Sequence, residues 1–335
     1  MSDQTVPQPP KPITDPYEYL HVIRNPDGTI TREHDVFPTT AAVPDPRHPT
    51  AVLSKDIAIN PSNHTWARIF LPRQVLDGSL LAAKLPLIVY YHGGGFIVWS
   101  AATTFCHDFC INIAAELPAV VVSVEYRLAP EHRLPAAYDD AMEALHWIKC
   151  KQEEWLREYA DFSNCFLMGT SVGGNIAYHV ALRAAKAVNE LEPLQIRGLI
   201  LNHPFFGGVQ RSGSELRLMN DPILPPIVTD LKWDLSLPAG SDRELEYCNP
   251  MVQDRSKLLK KVRSVGWRVL INGCEGDPLV DKQKEVVKLM EENGVEVIGH
   301  FVAGGFHGVE TFDSSWAKAL DAMMKIFIFS FNLAA

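Results

Sequence analysis

Two hydrophobic patterns alternate along the chain from about residue 85 to its end. Continuous apolar runs at 85–91, 119–126, 165–168, 198–201 and 268–271 have the length and β-branched content of strands buried on both faces. Between them, at 105–115, 138–149, 175–182 and 279–292, apolar residues recur at the three- and four-residue spacing of amphipathic helices. Asn293-Gly294 stops the last of these. Residues 295–301 then predict a final strand and 315–331 a closing helix. Such alternation specifies an α/β protein: a mostly parallel central sheet with helices on both faces.

The pattern differs at two places. Upstream, runs at 19–23 and 29–32 flank Pro26-Asp27-Gly28 and predict a hairpin, with two further strands at 55–59 and 66–71. Residues 1–15 are Pro-rich and polar and predict no element. Between 207 and 250 the alternation breaks into Pro- and Gly-rich sequence with amphipathic pieces such as Ile227-Val228-Thr229-Asp230-Leu231-Lys232-Trp233. An insertion after a sheet strand lies over the C-terminal edge of the sheet. The expected organisation is therefore a core at 46–206 and 251–335, a cap insertion at 207–250, and an N-terminal segment, 1–45, contributing to the cap.

Charge and composition narrow the functions. A net charge of −9 without a basic run opposes electrostatic binding of nucleic acid or anionic membrane, and is compatible with a small neutral substrate. The six cysteines form no C-x-x-C pair, and Cys106 and Cys110, four apart on a predicted helix, read as small packing residues. No secretory leader or apolar stretch of membrane-spanning length is present, so a cytoplasmic protein with reduced thiols is expected. No histidine pair has metal-ligand spacing, and neither a metal nor an organic cofactor is expected. Oligomeric state leaves no sequence signal.

The candidate chemistry lies at predicted strand ends. Gly169-Thr170-Ser171-Val172-Gly173 has the form G-x-S-x-G, entered from an apolar run and left by a helical pattern. That context is what a nucleophile elbow requires, a tight turn presenting the Ser171 hydroxyl above the sheet. His92-Gly93-Gly94-Gly95 follows the strand at 85–91. Glycines there leave backbone N–H groups unobstructed, and such donors stabilise a tetrahedral oxyanion by about 3–4 kcal/mol each. The residue after the nucleophile, Val172, supplies another N–H. A phosphate cradle would need a downstream Gly-Lys-Ser/Thr, which is absent.

On this scaffold the acid and the base follow the nucleophile in that order, each past a late strand. Asp277 follows the strand at 268–271 and His307 the strand at 295–301. Asp281, about one turn into the helix, and Glu275, on the near side, are the rivals of Asp277. Taken singly, His132, His179 and His203 read as ordinary hydrogen-bonding residues.

Several motifs together carry a family resemblance. They are His92-Gly93-Gly94-Gly95-Phe96, the run Tyr126-Arg127-Leu128-Ala129-Pro130-Glu131, Gly169 to Asn175, His203-Pro204-Phe205-Phe206-Gly207-Gly208 and Cys248-Asn249-Pro250. The chain resembles the plant carboxylesterases of the hormone-sensitive-lipase-like group of α/β hydrolases, from about Tyr19 to Phe331. The resemblance implies the α/β-hydrolase fold and a triad of Ser171, Asp277 and His307. It implies oxyanion donors from Gly94, Gly95 and Val172, and a cap from the N-terminal segment plus the insertion. Phe96, Thr170 and His203, within these motifs, are candidate substrate contacts. The expected activity is hydrolysis of small to medium carboxylic esters through an acyl-enzyme. The alternatives are a dedicated step of specialised metabolism, as an alkaloid-pathway methyl-ester cleaving enzyme or cyclase, and a non-catalytic hormone receptor. The family usually has Asp at position 170 and Ala or Ser at 172. Thr170 removes a carboxylate beside the nucleophile, and the branched Val172 is expected to narrow the site.

Overall fold

A computed structural model describes residues 13–33, 36–78, 84–150, 152–252 and 256–330. Most of the Pro-rich segment, residues 1–12, and the end of the predicted closing helix, Phe331, lie outside them.

The expected N-terminal hairpin is present but begins later. Residues Pro16–Tyr19 form a short helix, α1, because Asp15 caps it, accepting from the Tyr17 N–H at 2.8 Å, and Pro16 occupies the first turn. Strands β1 (Val22–Arg24) and β2 (Ile30–Arg32) then pair antiparallel.

An eight-stranded sheet follows, built from β3 (Val52–Asn60), β4 (Thr65–Pro72), β5 (Leu85–Tyr91), β6 (Val120–Glu125), β7 (Ala160–Thr170), β8 (Ile196–Asn202), β9 (Arg268–Cys274) and β10 (Val297–Val302). Its spatial order is β10-β9-β8-β7-β5-β6-β4-β3. The six strands from β10 to β6 run parallel, while β4 is antiparallel to both neighbours. The helices are α2 (Thr104–Glu116), α3 (Ala136–Lys149), α4 (Glu154–Tyr159), α5 (Val172–Lys186), α6 (Gly213–Arg217), α7 (Pro226–Ser236), α8 (Ser256–Ser264), α9 (Val280–Glu292) and α10 (Ser314–Phe329).

The continuous apolar runs are explained by layers on both sides. Along β5, Leu85, Leu87, Val89 and Tyr91 face a core shared with α3, α5, α8 and α9. Ile88 and Tyr90 face a second core closed by Cys110 and Ile113 of α2 and by Leu320, Met324 and Phe327 of α10. Each such large side chain contributes about 1.5–3 kcal/mol on burial. Among the described residues no helix is long and apolar enough to cross a membrane.

The fold sets the site's location. From β5 the chain crosses through α2 to β6, and β7 then returns to the other side of β5. A crevice opens outside the carboxyl ends of the strands at such a reversal. The insertion between β8 and β9 carries α6, α7 and α8, and α6 and α8 are elements the periodicity did not predict. The N-terminal segment meets this insertion directly, the Tyr19 hydroxyl donating to the Ile223 carbonyl at 2.7 Å.

Candidate active site

Ser171 is the residue between β7 and α5. Its backbone sits at φ 57°, ψ −119°, a region that costs a non-glycine residue about 1–3 kcal/mol. The end of β8 and the residues just past it clamp it there. The Ser171 N–H donates to the Asn202 carbonyl, and the Ser171 carbonyl accepts from the Phe205 N–H, both at 2.9 Å. The turn is so tight that a Cβ on Gly173 would lie 1.9 Å from the Tyr91 carbonyl oxygen. The second motif glycine is therefore a steric requirement.

His307 Nε2 lies 2.9 Å from Ser171 Oγ, and His307 Nδ1 lies 2.9 Å from Asp277 Oδ2. Serine and histidine are each 9 % exposed, and Asp277 is fully buried. Sequence order and strand-end placement thus bring the three expected residues into one hydrogen-bonded chain. The rivals of Asp277 are engaged elsewhere. Asp281 accepts the Ser214 N–H of α6, and Glu275 pairs with Lys284 at 2.6 Å.

Asp277 has more partners than its motif reveals. Its Oδ2 also accepts from Gln283 Nε2 and meets His203 Nδ1, each at 2.9 Å, and its Oδ1 accepts the Leu279 N–H. Burial favours the neutral acid, but the charge of His307 and the hydrogen bonds from both imidazoles outweigh it. The carboxyl is held well below the usual carboxylate range.

On its far side His203 Nε2 lies 3.2 Å from Glu310 Oε2, and Glu310 also accepts from Asn202. Burial disfavours the His203 imidazolium, yet the Glu310 charge and the bonds to Asp277 and Glu310 raise it to about 10. His203 is therefore a buried cation between two carboxylates, which corrects its expected role as a substrate contact. Its ring is 1 % exposed and does not line the cavity above Ser171.

This has a consequence for stability. A histidine raised from its ordinary ~6.5 favours the folded state fully below that value, and the contribution disappears as pH rises through about 10. The urea midpoint of the wild type is expected to fall between pH 7 and pH 10, and to fall less in His203→Gln. Equal slopes for the two proteins would contradict a charged His203.

Ligating atoms of His203, Asp277 and His307 lie within 4.8 Å of one another, but their geometry does not suit a metal. Both imidazole Nδ1 atoms donate to the same carboxylate oxygen, so neither has a lone pair to offer there.

The glycine loop after β5 is shaped by its backbone. Gly94 has φ +108°, and a Cβ on it would lie 2.0 Å from the Val98 carbonyl oxygen. Among the described residues the N–H groups of Gly94, Gly95 and Val172 donate no hydrogen bond. The Tyr126-to-Glu131 run supports this loop from behind. The Tyr126 hydroxyl donates to the His92 carbonyl at 2.9 Å, its ring stacks on His92, and the Ala129 N–H donates to the Phe96 carbonyl at 2.8 Å. Arg127 in turn grips the buried Asp140 through Nε and Nη2. That run thus holds the loop that faces the nucleophile.

A cavity of about 450 Å³ opens over Ser171, His307, Gly94 and Thr170. Its walls are mostly apolar and aromatic, including Tyr19, Leu20, Trp99, Phe105, Phe109 and Ile223. Thr170 reaches it as expected; Phe96 does not. The Phe96 ring is buried against Tyr138 and Trp233, with centroids 6.4 and 5.9 Å away. The Val172 side chain also points into the core, so its branch does not narrow the cavity. Sequence reasoning missed Glu310, Gln283 and Lys232. Glu310 stands three residues beyond His307, a spacing that could have drawn notice; Lys232 sits in α7 with no motif around it.

A family profile described as the alpha/beta hydrolase fold matches residues 88–311. Carboxylesterase 20 of Arabidopsis thaliana is 56% identical over 96% of this chain and 98% of its own length. A 3-O-acetylpapaveroxine carboxylesterase of Papaver somniferum is 45% identical over 94% of this chain and 100% of its own. Among solved structures, an esterase of Pyrobaculum calidifontis superposes with a TM-score of 0.67 at 27% identity, covering 84% of this chain and 85% of that one.

Proposed function

This chain belongs to the alpha/beta hydrolases, within their plant carboxylesterases, and on that premise we propose that it is a serine carboxylesterase acting through Ser171, His307 and Asp277. The observation that carries the site assignment is the unbroken contact from Ser171 Oγ through the two nitrogens of His307 to Asp277. His307 Nε2 takes the hydroxyl proton as Ser171 Oγ attacks the ester carbonyl. The oxyanion that forms accepts from the N–H groups of Gly94, Gly95 and Val172. Collapse expels the alcohol, which receives the proton from His307, and leaves an acyl-enzyme. Water, deprotonated by the same imidazole, then attacks the acyl carbonyl, releases the acid and restores Ser171. Asp277 holds His307 with Nδ1 protonated, so that Nε2 is the free base.

The described residues within 1–45 and 207–250 act as the cap over a core formed by those within 46–206 and 251–335. The Tyr19–Ile223 contact and the shared lining of the cavity by α1, its following residues and α7 support this division. A small-molecule ester fits such a chamber. The six free thiols support the cytoplasm as its compartment. The complete triad favours turnover over the ligand retention of a receptor. The Papaver relative's name, which specifies an acetyl ester, supports a specialised-metabolism substrate as the second reading.

The test is p-nitrophenyl acetate. The expected result is release of p-nitrophenol with a pre-steady-state burst approaching one equivalent per chain, followed by slower turnover. Absence of any hydrolysis would reject the reading.

A further inference from the structure

The cavity carries a cation that the triad does not use. Lys232, on the cap helix α7, lines the same cavity as Ser171 and His307. Its stem rests on the oxyanion loop: a Cβ on Gly95 would lie 2.4 Å from its Cδ and 2.6 Å from its Cε. The ammonium, one bond further, therefore sits beside the loop that receives the ester carbonyl. Among the described residues it makes no ion pair or hydrogen bond, and its Nζ stands 6.0 Å from the Phe205 ring centroid, a weak cation–π contact. Among the described residues no Asp or Glu lines the cavity, although the chain carries 40 acidic residues against 31 Lys and Arg. Burial pushes the ammonium down to about 8, which leaves it mostly charged at neutral pH. A half-buried cation that faces an apolar chamber is costly without a counter-ion, and the chamber's walls supply none among the described residues.

Building on the esterase reading, we infer that Lys232 forms an anion subsite beside Gly95, and that this enzyme prefers esters carrying a carboxylate within reach of the scissile bond. The charge-assisted hydrogen bond from Nζ to a substrate carboxylate orients the ester against Ser171 while the aromatic walls hold the remainder. The site thereby distinguishes a half-ester or a carboxylated aryl ester from the neutral isostere of the same size.

Two substrate pairs test this. In 4-acetoxybenzoate against 4-acetoxybenzamide the charge is on the leaving alcohol. In mono-p-nitrophenyl adipate against p-nitrophenyl hexanoate it is on the acyl chain. In the wild type at pH 7, at least one pair is expected to favour the anion by about tenfold or more in kcat/KM. Lys232→Met is expected to bring that ratio close to one, and Lys232→Arg to retain most of it. Ratios near one for both pairs in the wild type, or a preference that survives in Lys232→Met, would overturn the subsite. Failure of all four esters to turn over counts against the esterase reading alone. Calorimetric binding of 4-acetoxybenzoate then decides the subsite, which requires tighter binding to the wild type than to Lys232→Met.

Discussion

Replacement of Ser171 by alanine is expected to lower p-nitrophenyl acetate hydrolysis on the order of 10⁶-fold, leaving only what the loop and the cavity can do without a nucleophile. The expectation rests on covalent chemistry. Without Oγ no acyl-enzyme forms, and a water activated by His307 must attack the ester directly, without the tether that holds Oγ 2.9 Å from the imidazole. Folding should survive. Ser171 holds its strained backbone through its N–H and carbonyl, bonded to Asn202 and Phe205, and those groups remain in alanine. Circular dichroism and the thermal midpoint should match the wild type within a few degrees. Undiminished hydrolysis in this variant would show that the chemistry lies elsewhere.

The second large effect is expected at Asp277. Asp277→Asn should reduce kcat by about 10⁴-fold. The carboxylate accepts at both oxygens: Oδ2 meets His307, His203 and Gln283, and Oδ1 takes the Leu279 N–H. An asparagine has one acceptor oxygen and an NH₂ group in place of the other. If the NH₂ faces His307, Nδ1 must accept, the proton moves to Nε2, and the base is blocked where Ser171 needs it. If the oxygen faces His307, the NH₂ confronts the Leu279 N–H, and His203 loses one of its two counter-charges. Either arrangement damages a site that has no solvent to repair it. Asp281→Asn is the comparison, because Asp281 serves α6 rather than the imidazole; its kcat should stay within a few-fold of the wild type. Equal losses in the two variants would contradict the assignment of the acid.

The difference between what was legible in the chain and what was not has a physical basis. Parallel strands buried on both faces must be continuously apolar, and the runs at β5, β6 and β9 announced themselves for that reason. The elbow was equally plain, since a turn that brings position 173 against Tyr91 admits only glycine. Asp277 and His307 followed from their places after β9 and β10. Elements held by tertiary contacts were less visible. α1, which Asp15 and Pro16 start, covers Pro16–Tyr19, where no element was predicted before the run at 19–23, and it delays that run's strand to Val22. Side-chain direction was not legible either. Phe96, Val172 and His203 lie in or beside the motifs, yet their side chains turn into the core or toward Asp277. The Lys232 contact with Gly95 joins residues 137 positions apart in the chain, and no local pattern encodes it.

The central claim is that Ser171 becomes covalently acylated, and trapping with an organophosphonate p-nitrophenyl ester tests it most directly. The account predicts one phosphonyl group per chain by intact mass, located on Ser171 by peptide fragmentation, and none on Ser171→Ala. A group located on another residue, such as Cys106 in the cavity wall, would contradict it, as would continued ester hydrolysis by protein that takes up no label.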